Sequence, residues 1–176
     1  MRAVPILLAS LITALPLGAC GRDAPAAASK GANAPIYSNP ADAEIDKATD
    51  DAIRTLPVFW SKFNSHSAGY GDFRIKVTRP TDDGAGEERI WMTVAEFTPG
   101  KQIKGRLSNE PAQLKKLHQG SLIEVDPSRI VDWMYTAGGK AYGHYTTRAL
   151  MKLANPEQRA QVAAFLAPTP LEPTSH

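Results

Sequence analysis

Ser121, Ser128, Asp132 and His144 fall within residues 120–148 and supply the residue types of an acyl-transfer triad: a hydroxyl nucleophile, an orienting acid and a base. Neither serine stands in a G-x-S-x-G elbow, the strand-to-helix turn that exposes a nucleophile on α/β hydrolases. Asp82 with Asp83, or Glu87 with Glu88, offers paired acids for glycoside cleavage, but adjacent acids in a polar segment more commonly form a solvated charge run. His144 on its own reads as a partly exposed strand residue whose neutral ring makes a local hydrogen bond. No catalytic residue is assigned on these spacings.

Recognition is better represented. Arg74 and Lys76, and again Lys104 and Arg106, alternate with apolar side chains, while Arg89 shares its parity with Trp91. These six residues are the candidate binding set, forming one basic sheet face if their strands are neighbours. Otherwise they are unrelated solvated positions, because strand order is not readable from sequence. A second cluster comprises Asp132, Trp133, His144, Tyr145 and Arg148. Asp132 has the strand parity of Ile130 and Met134, so a core-facing carboxylate is expected there, and it must find donors. Arg148 is the preferred partner, through a bidentate fork. Capture by backbone N–H groups of the turn at Gly138 and Gly139 is the equally weighted alternative, with Trp133 packed on the opposite face.

Asn39 and Pro40 pair an N-cap with a proline in the first turn, and Asp42 and Glu44 add negative charge where the helix dipole favours it. The helix that starts there has an apolar stripe of Ile45, Ala48, Ala52, Leu56, Phe59 and Phe63, which Pro57 should kink or restart after Thr55. Residues 72–78 alternate as a strand, residues 81–87 form a polar loop, and residues 89–97 form a central strand with Ile90, Met92 and Val94 on one face and Trp91, Ala95 and Phe97 on the other. Pro99 and Gly100 suit a type II turn into a third strand at residues 101–107, where Gly105 marks a bulge or a close approach. A short helix capped by Ser108 or Asn109 is expected through Pro111, Leu114 and Leu117, ended by Gly120. Strands follow at residues 122–125, 130–135 and 141–145, and Asn155, Pro156 and Glu157 cap a last helix carrying Val162, Phe165 and Leu166. Short connections imply antiparallel pairing. The fold class is therefore α+β: an N-terminal helix packed on a twisted antiparallel sheet of about six strands, with short additional helices.

The 176 residues balance 20 lysines and arginines against 18 acidic residues, without the basic excess that makes nucleic acid a default partner. Cys20 is the only cysteine and His66, His118, His144 and His176 are scattered, so neither a disulfide, a metal site nor a cofactor is expected. Arg2, the apolar residues 4–15 and a close on small residues make the three-part order of an export leader, with an ordinary secretory signal as the simpler alternative. Leu17-Gly18-Ala19-Cys20 resembles the lipobox of bacterial lipoproteins. That resemblance implies lipidation of Cys20 and cleavage before it. Gly21, in place of the aspartate that retains lipoproteins at the inner membrane, implies the outer membrane, with the inner membrane as the alternative. The expected organisation is a leader at 1–19, a lipidated cysteine and flexible tether at 20–39, a domain at 40–167 and a frayed tail at 168–176. Such a tether would have an end-to-end distance of roughly 25 Å.

Leu56-Pro57-x-Phe59, Glu88-Arg89-Ile90-Trp91, Gly105-x-Leu107-x-Asn109-x-Pro111, Ile130-x-Asp132-Trp133 and Tyr145-Thr146-x-Arg148 together resemble the YegJ-like family of bacterial domains of unknown function, over roughly residues 43–148. The resemblance implies an α+β domain and no established reaction. It also implies a glycine where this chain has His144. The leading expectation is a non-enzymatic binding domain displayed at the outer membrane, its partner an envelope protein or an anionic envelope component. An envelope hydrolase acting on peptidoglycan or lipid is the rival, and its sign would be a deep cleft holding His144 with a serine or carboxylate in hydrogen-bond reach. A protein neutralising an exported toxin is a third class.

Overall fold

The computed structural model describes residues 40–173. The leader, Cys20, the tether and the Asn39 cap lie outside the described residues, as do residues 174–176.

Helix α1 (Pro40–Ser65) buries Ala48, Ala52 and Phe59, with Leu56 and Phe63 half-buried on the same stripe. It runs unbroken through Pro57, so no second helix starts after Thr55. Proline deprives the Ile53 carbonyl of its intrahelical donor, but Ile53 and Pro57 are both exposed and water can supply that bond.

The sheet has six strands: β1 (Tyr70–Pro80), β2 (Glu87–Glu96), β3 (Ile103–Leu107), β4 (Leu122–Val125), β5 (Ile130–Ala137) and β6 (Lys140–Gly143). Their order is β4-β3-β2-β1-β5-β6, every pair antiparallel. Helix α1 covers one face over Ile75, Val77, Ile90, Met92, Ile103, Trp133 and Tyr135. Each large side chain buried there contributes about 1.5–3 kcal/mol. Phe59 meets Phe73 and Trp133 at ring distances of 5.7 and 5.8 Å, and the Trp133 indole N–H donates to the Ala52 carbonyl at 2.9 Å. Helix α2 (Tyr145–Met151) packs against α1, with Lys152 just beyond it paired to Glu44, while on the other face of the sheet α3 (Pro156–Phe165) accompanies a smaller cluster of Met134, Ala141 and Leu166. Asn155 caps α3 as expected, and the cap is a reciprocal box in which Asn155 also exchanges hydrogen bonds with Gln158.

Irregularities in pairing change which way side chains face. Lys76 pairs with Asp132 but the next residue, Val77, pairs with Ile130, so Val131 is an extra residue. Ile130 therefore joins the α1 core, whereas Asp132 and Met134 lie on the opposite face. A second extra residue, Ala95, between the pairs Val94–Gly105 and Glu96–Lys104, brings Phe97 to the α1 side. There it stacks on Trp60 at 3.7 Å instead of joining the Trp91 face expected from alternation.

Three further expectations are corrected. Residues 111–117 form no helix: the Glu88 carboxylate accepts from the backbone N–H groups of Ala112 and Gln113, and Asp82 accepts from Lys115, so distant acids fold this stretch as a loop. The sixth strand ends at Gly143, and Tyr145 opens α2. Residues 168–173, expected to fray, are held: Pro170 accepts from the Gly143 N–H, and Glu172 binds Lys62 at 2.7 Å and Tyr70 at 3.0 Å.

Candidate functional site

Asp132 is fully buried beneath the first turn of α2. Its Oδ1 accepts from the N–H groups of Trp133 at 2.8 Å and Tyr145 at 3.0 Å, and its Oδ2 from the N–H of Thr146 at 2.8 Å and the Thr146 hydroxyl at 2.6 Å. Lys76 Nζ donates to the same hydroxyl at 2.8 Å. An ammonium can only donate, so Thr146 accepts from Lys76 and passes its own proton toward Asp132. Neither arrangement expected from the sequence is adopted as such: backbone N–H groups do capture Asp132, but they belong to Trp133 and to the start of α2, not to the Gly138–Gly139 turn. Arg148 instead donates from Nε to the Gly143 carbonyl at 2.8 Å, and makes no contact with Asp132 among the hydrogen bonds or ion pairs. Burial pushes the Asp132 carboxyl above the ordinary carboxylate range, opposed by the Thr146 hydrogen bonds and by Lys76. Burial likewise lowers the Lys76 pKa, with Asp132 opposing.

His144 joins β6 to α2 with left-handed dihedrals, φ 55° and ψ 39°. Glycine adopts that conformation without a Cβ penalty, which accounts physically for a glycine being acceptable at this place. His144 is buried at 8% exposure, not the partly exposed strand residue expected. Its ring lies 5.0 Å from that of Trp91 and 5.5 Å from that of Phe165, and Nδ1 is 3.2 Å from the Thr147 hydroxyl. Burial, and then the charges of Lys76, Arg148 and Arg74, lower its pKa to about 4. The folded protein therefore holds a neutral ring while the unfolded chain takes up a proton below about 6.5. Stability is complete above that pH and falls as pH drops toward 4. Between about pH 7.5 and about pH 5 we expect a loss of about 2 kcal/mol from this residue. His144→Asn tolerates the left-handed backbone and lacks the titration. Denaturant midpoints measured against pH should lose this acid limb in the variant, and parallel profiles would refute the assignment.

A cleft of about 230 Å³ opens beside this ring, lined by Arg74, Trp91, Met134, Thr136, His144 and Phe165 among others. Phe165 is 43% exposed on its rim. The cleft holds His144 and, on its wall, the Asp72 carboxylate, but Asp72 is bound to Arg74 and the ring is hydrogen-bonded to neither it nor a serine: Ser121 Oγ accepts from the His118 N–H, and Ser128 Oγ donates to Asp126.

The six candidate binding residues do share one face. Trp91 pairs with Lys76, and Arg74, Thr93 and Arg106 form a row across β1, β2 and β3. The Lys76 ammonium sits 4.8 Å from the Trp91 ring centre. Much of the charge is matched internally, however. Arg74 binds Asp72 at 2.7 Å, and Lys104 lies 3.7 Å from Glu96 and 3.8 Å from Glu124. Arg89 and Arg106 have no carboxylate partner among the described residues. Of the second cluster, Trp133 and Tyr145 pack on the α1 side, their rings 5.6 Å apart. Sequence reasoning missed Gly143, Thr146 and Phe165 as members of this region. The run Tyr145-Thr146-Thr147 after Gly143-His144 could have signalled a helix start.

The recurrent motifs meet in space. Asn109 accepts from the Trp91 N–H, Glu88 from Ala112 and Gln113, and Asp132 from Tyr145 and Thr146. No group of acids, histidines or cysteines among the described residues could hold a metal ion, and no described helix is long and apolar enough to cross a membrane.

Fold and site thus define an α+β domain with a buried carboxylate latch beside an aromatic cleft. The chain belongs to the family described as uncharacterized proteins conserved in bacteria (DUF2314), whose profile matches residues 42–166. It is 32% identical over 120 residues to the uncharacterized protein YegJ of Escherichia coli K12, covering 68% of this chain and 78% of that one. It is 27% identical over 131 residues, 71% of this chain, to a Neisseria meningitidis serogroup B protein named for ankyrin repeats. The chain spans about half of that relative's length, 51%. No solved structure matches.

Proposed function

We propose that this protein is an envelope lipoprotein, anchored through Cys20 on the periplasmic side of the outer membrane, whose domain binds an anionic envelope component without transforming it. One observation carries the binding reading. The groups able to do chemistry are engaged in structure, Asp132 by four donors and His144 as a neutral buried ring, while Trp91, Phe165 and Arg74 line an open cleft on the face that carries Arg89 and Arg106. The export leader, the lone cysteine at its end and Gly21 support the anchor.

A single set of variants tests both parts. Metabolic labelling with a fatty-acid analogue should mark the wild-type chain and leave Cys20→Ser unlabelled, since serine offers no thiolate. Envelope retention of the Cys20→Ser chain should weaken as salt rises, the Debye length falling to about 3 Å at 1 M. It should weaken again with Arg89→Glu and Arg106→Glu, two arginines of that face with no carboxylate partner among the described residues. Label on Cys20→Ser would remove the anchor. Retention indifferent to salt and to both reversals would remove the anionic ligand.

A further inference from the structure

Arg148 closes one of the family-like motifs, yet neither the Asp132 latch nor the His144 cleft uses it. It lines a separate cleft of about 370 Å³, together with Lys140 from β6, Met151 from α2, Ala163 from α3, and Leu166 and Pro168 beyond it. That volume lies in the range of small-molecule sites, about 300–1,000 Å³. The two clefts share no lining residue.

Apart from its two cations the wall is apolar. Lys140 Nζ donates to the Ala164 carbonyl at 2.6 Å. Arg148 donates from Nε to the Gly143 carbonyl at 2.8 Å and from Nη2 to the Thr169 carbonyl at 3.4 Å. These carbonyls position the two side chains without neutralising them, because no carboxylate lies within ion-pair distance of either among the described residues. An ammonium has three donors and a guanidinium five, so each retains N–H groups for another acceptor. A half-buried guanidinium without a counter-charge is unfavourable, and an anion placed beside it would relieve that cost. Met151, Ala163 and Leu166 would at the same time accept an alkyl chain, which the His144 cleft with its aromatic lining and its Asp72–Arg74 pair is less suited to take.

We infer that this cleft binds an anionic amphiphile, its unbranched alkyl chain lying along Met151, Ala163 and Leu166 and its carboxylate or phosphate head meeting Lys140 and Arg148. The anion at the head and the chain on the wall are both required, which distinguishes this ligand from a simple salt and from a neutral lipid.

The test is calorimetric titration of the full chain carrying Cys20→Ser, so that no covalent acyl group competes, with decanoate, decyl phosphate and decanol below their micellar concentrations. Decanoate or decyl phosphate should bind at least about tenfold more tightly than decanol, the equivalent of one charge-assisted hydrogen bond, and the tighter of the two identifies the head group. Lys140→Gln should weaken the anionic probe about tenfold while leaving decanol unchanged. Ala163→Phe, at an exposed helix position, should fill the cleft and abolish binding of all three, with circular dichroism and the unfolding midpoint unaltered. Decanol binding as tightly as decanoate, anionic binding indifferent to Lys140→Gln or to Ala163→Phe, or no binding by any probe would overturn the inference.

Discussion

Asp132→Asn should lower the unfolding free energy by about 3 kcal/mol or more, measured by denaturant titration. The carboxylate meets four donors and no acceptor. An asparagine presents an NH₂ at one end: at the Oδ1 side it faces the N–H groups of Trp133 and Tyr145, and at the Oδ2 side it faces the Thr146 N–H and forces the Thr146 hydroxyl to turn from donor to acceptor. Each such loss costs about 1–3 kcal/mol in a buried site. Lys76, half-buried and joined to Asp132 through Thr146, also loses its counter-charge. Removing a buried carboxylate recovers part of its desolvation penalty, which offsets the loss without reversing it, because the donors remain. Thr146→Val breaks the same relay, and its effect should be strongly non-additive with Asp132→Asn, whereas Arg148→Met should add independently. Near-wild-type stability for Asp132→Asn would show that the latch is dispensable and return the carboxylate to the functional candidates.

Gly143→Ala should cost about 3 kcal/mol or more, or prevent folding. Gly143 has φ 73°, and a methyl there would overlap the Trp133 carbonyl oxygen and indole ring, including Cζ3 at 2.8 Å. Its N–H bonds the Pro170 carbonyl and its carbonyl accepts from Arg148, so displacing it loosens the C-terminal segment and the start of α2 together. Gly139 is the control. It has the same φ of 73° with nothing within 4 Å of an added Cβ, so Gly139→Ala should lose only the left-handed penalty of about 1–2 kcal/mol. Chemical denaturation of both variants separates backbone strain from collision. Equal losses would mean that Trp133 yields to the methyl.

Function in this family member is read from what its reactive residues are bonded to. Asp132 and His144 have the chemistry of a catalytic pair, but the carboxylate orders a helix start and the ring packs between Trp91 and Phe165. What the Arg148 cleft leaves exposed is cationic and apolar, and the His144 cleft is aromatic with an Asp72–Arg74 pair, which is the chemistry on which the proposals above rest.

The amino-acid sequence by itself determined every feature whose cause is local. The three- and four-residue recurrence from Ala48 to Phe63 placed α1, alternation placed β1 and β2, and Asn155-Pro156 with Gln158 started α3, because caps and periodicity act within one or two turns of chain. Gly138 and Gly139, both at positive φ, turned β5 into β6 for the same reason. Tertiary structure decided what depends on partners far along the chain. Glu88 and Asp82 took the backbone donors of residues 111–117 and cancelled a helix that the local signals supported. The extra residues Val131 and Ala95 reversed the alternation that follows them, sending Asp132 away from Ile130's face and Phe97 onto Trp60. A bulge is a mismatch between two strands, so neither strand's sequence contains it alone. The partner of Asp132 was decided in the same way: a carboxylate's need for donors is legible in one residue, but whether an arginine or a helix start supplies them depends on where β6 ends, which is at Gly143, packed so closely on Trp133 that a Cβ would collide with it.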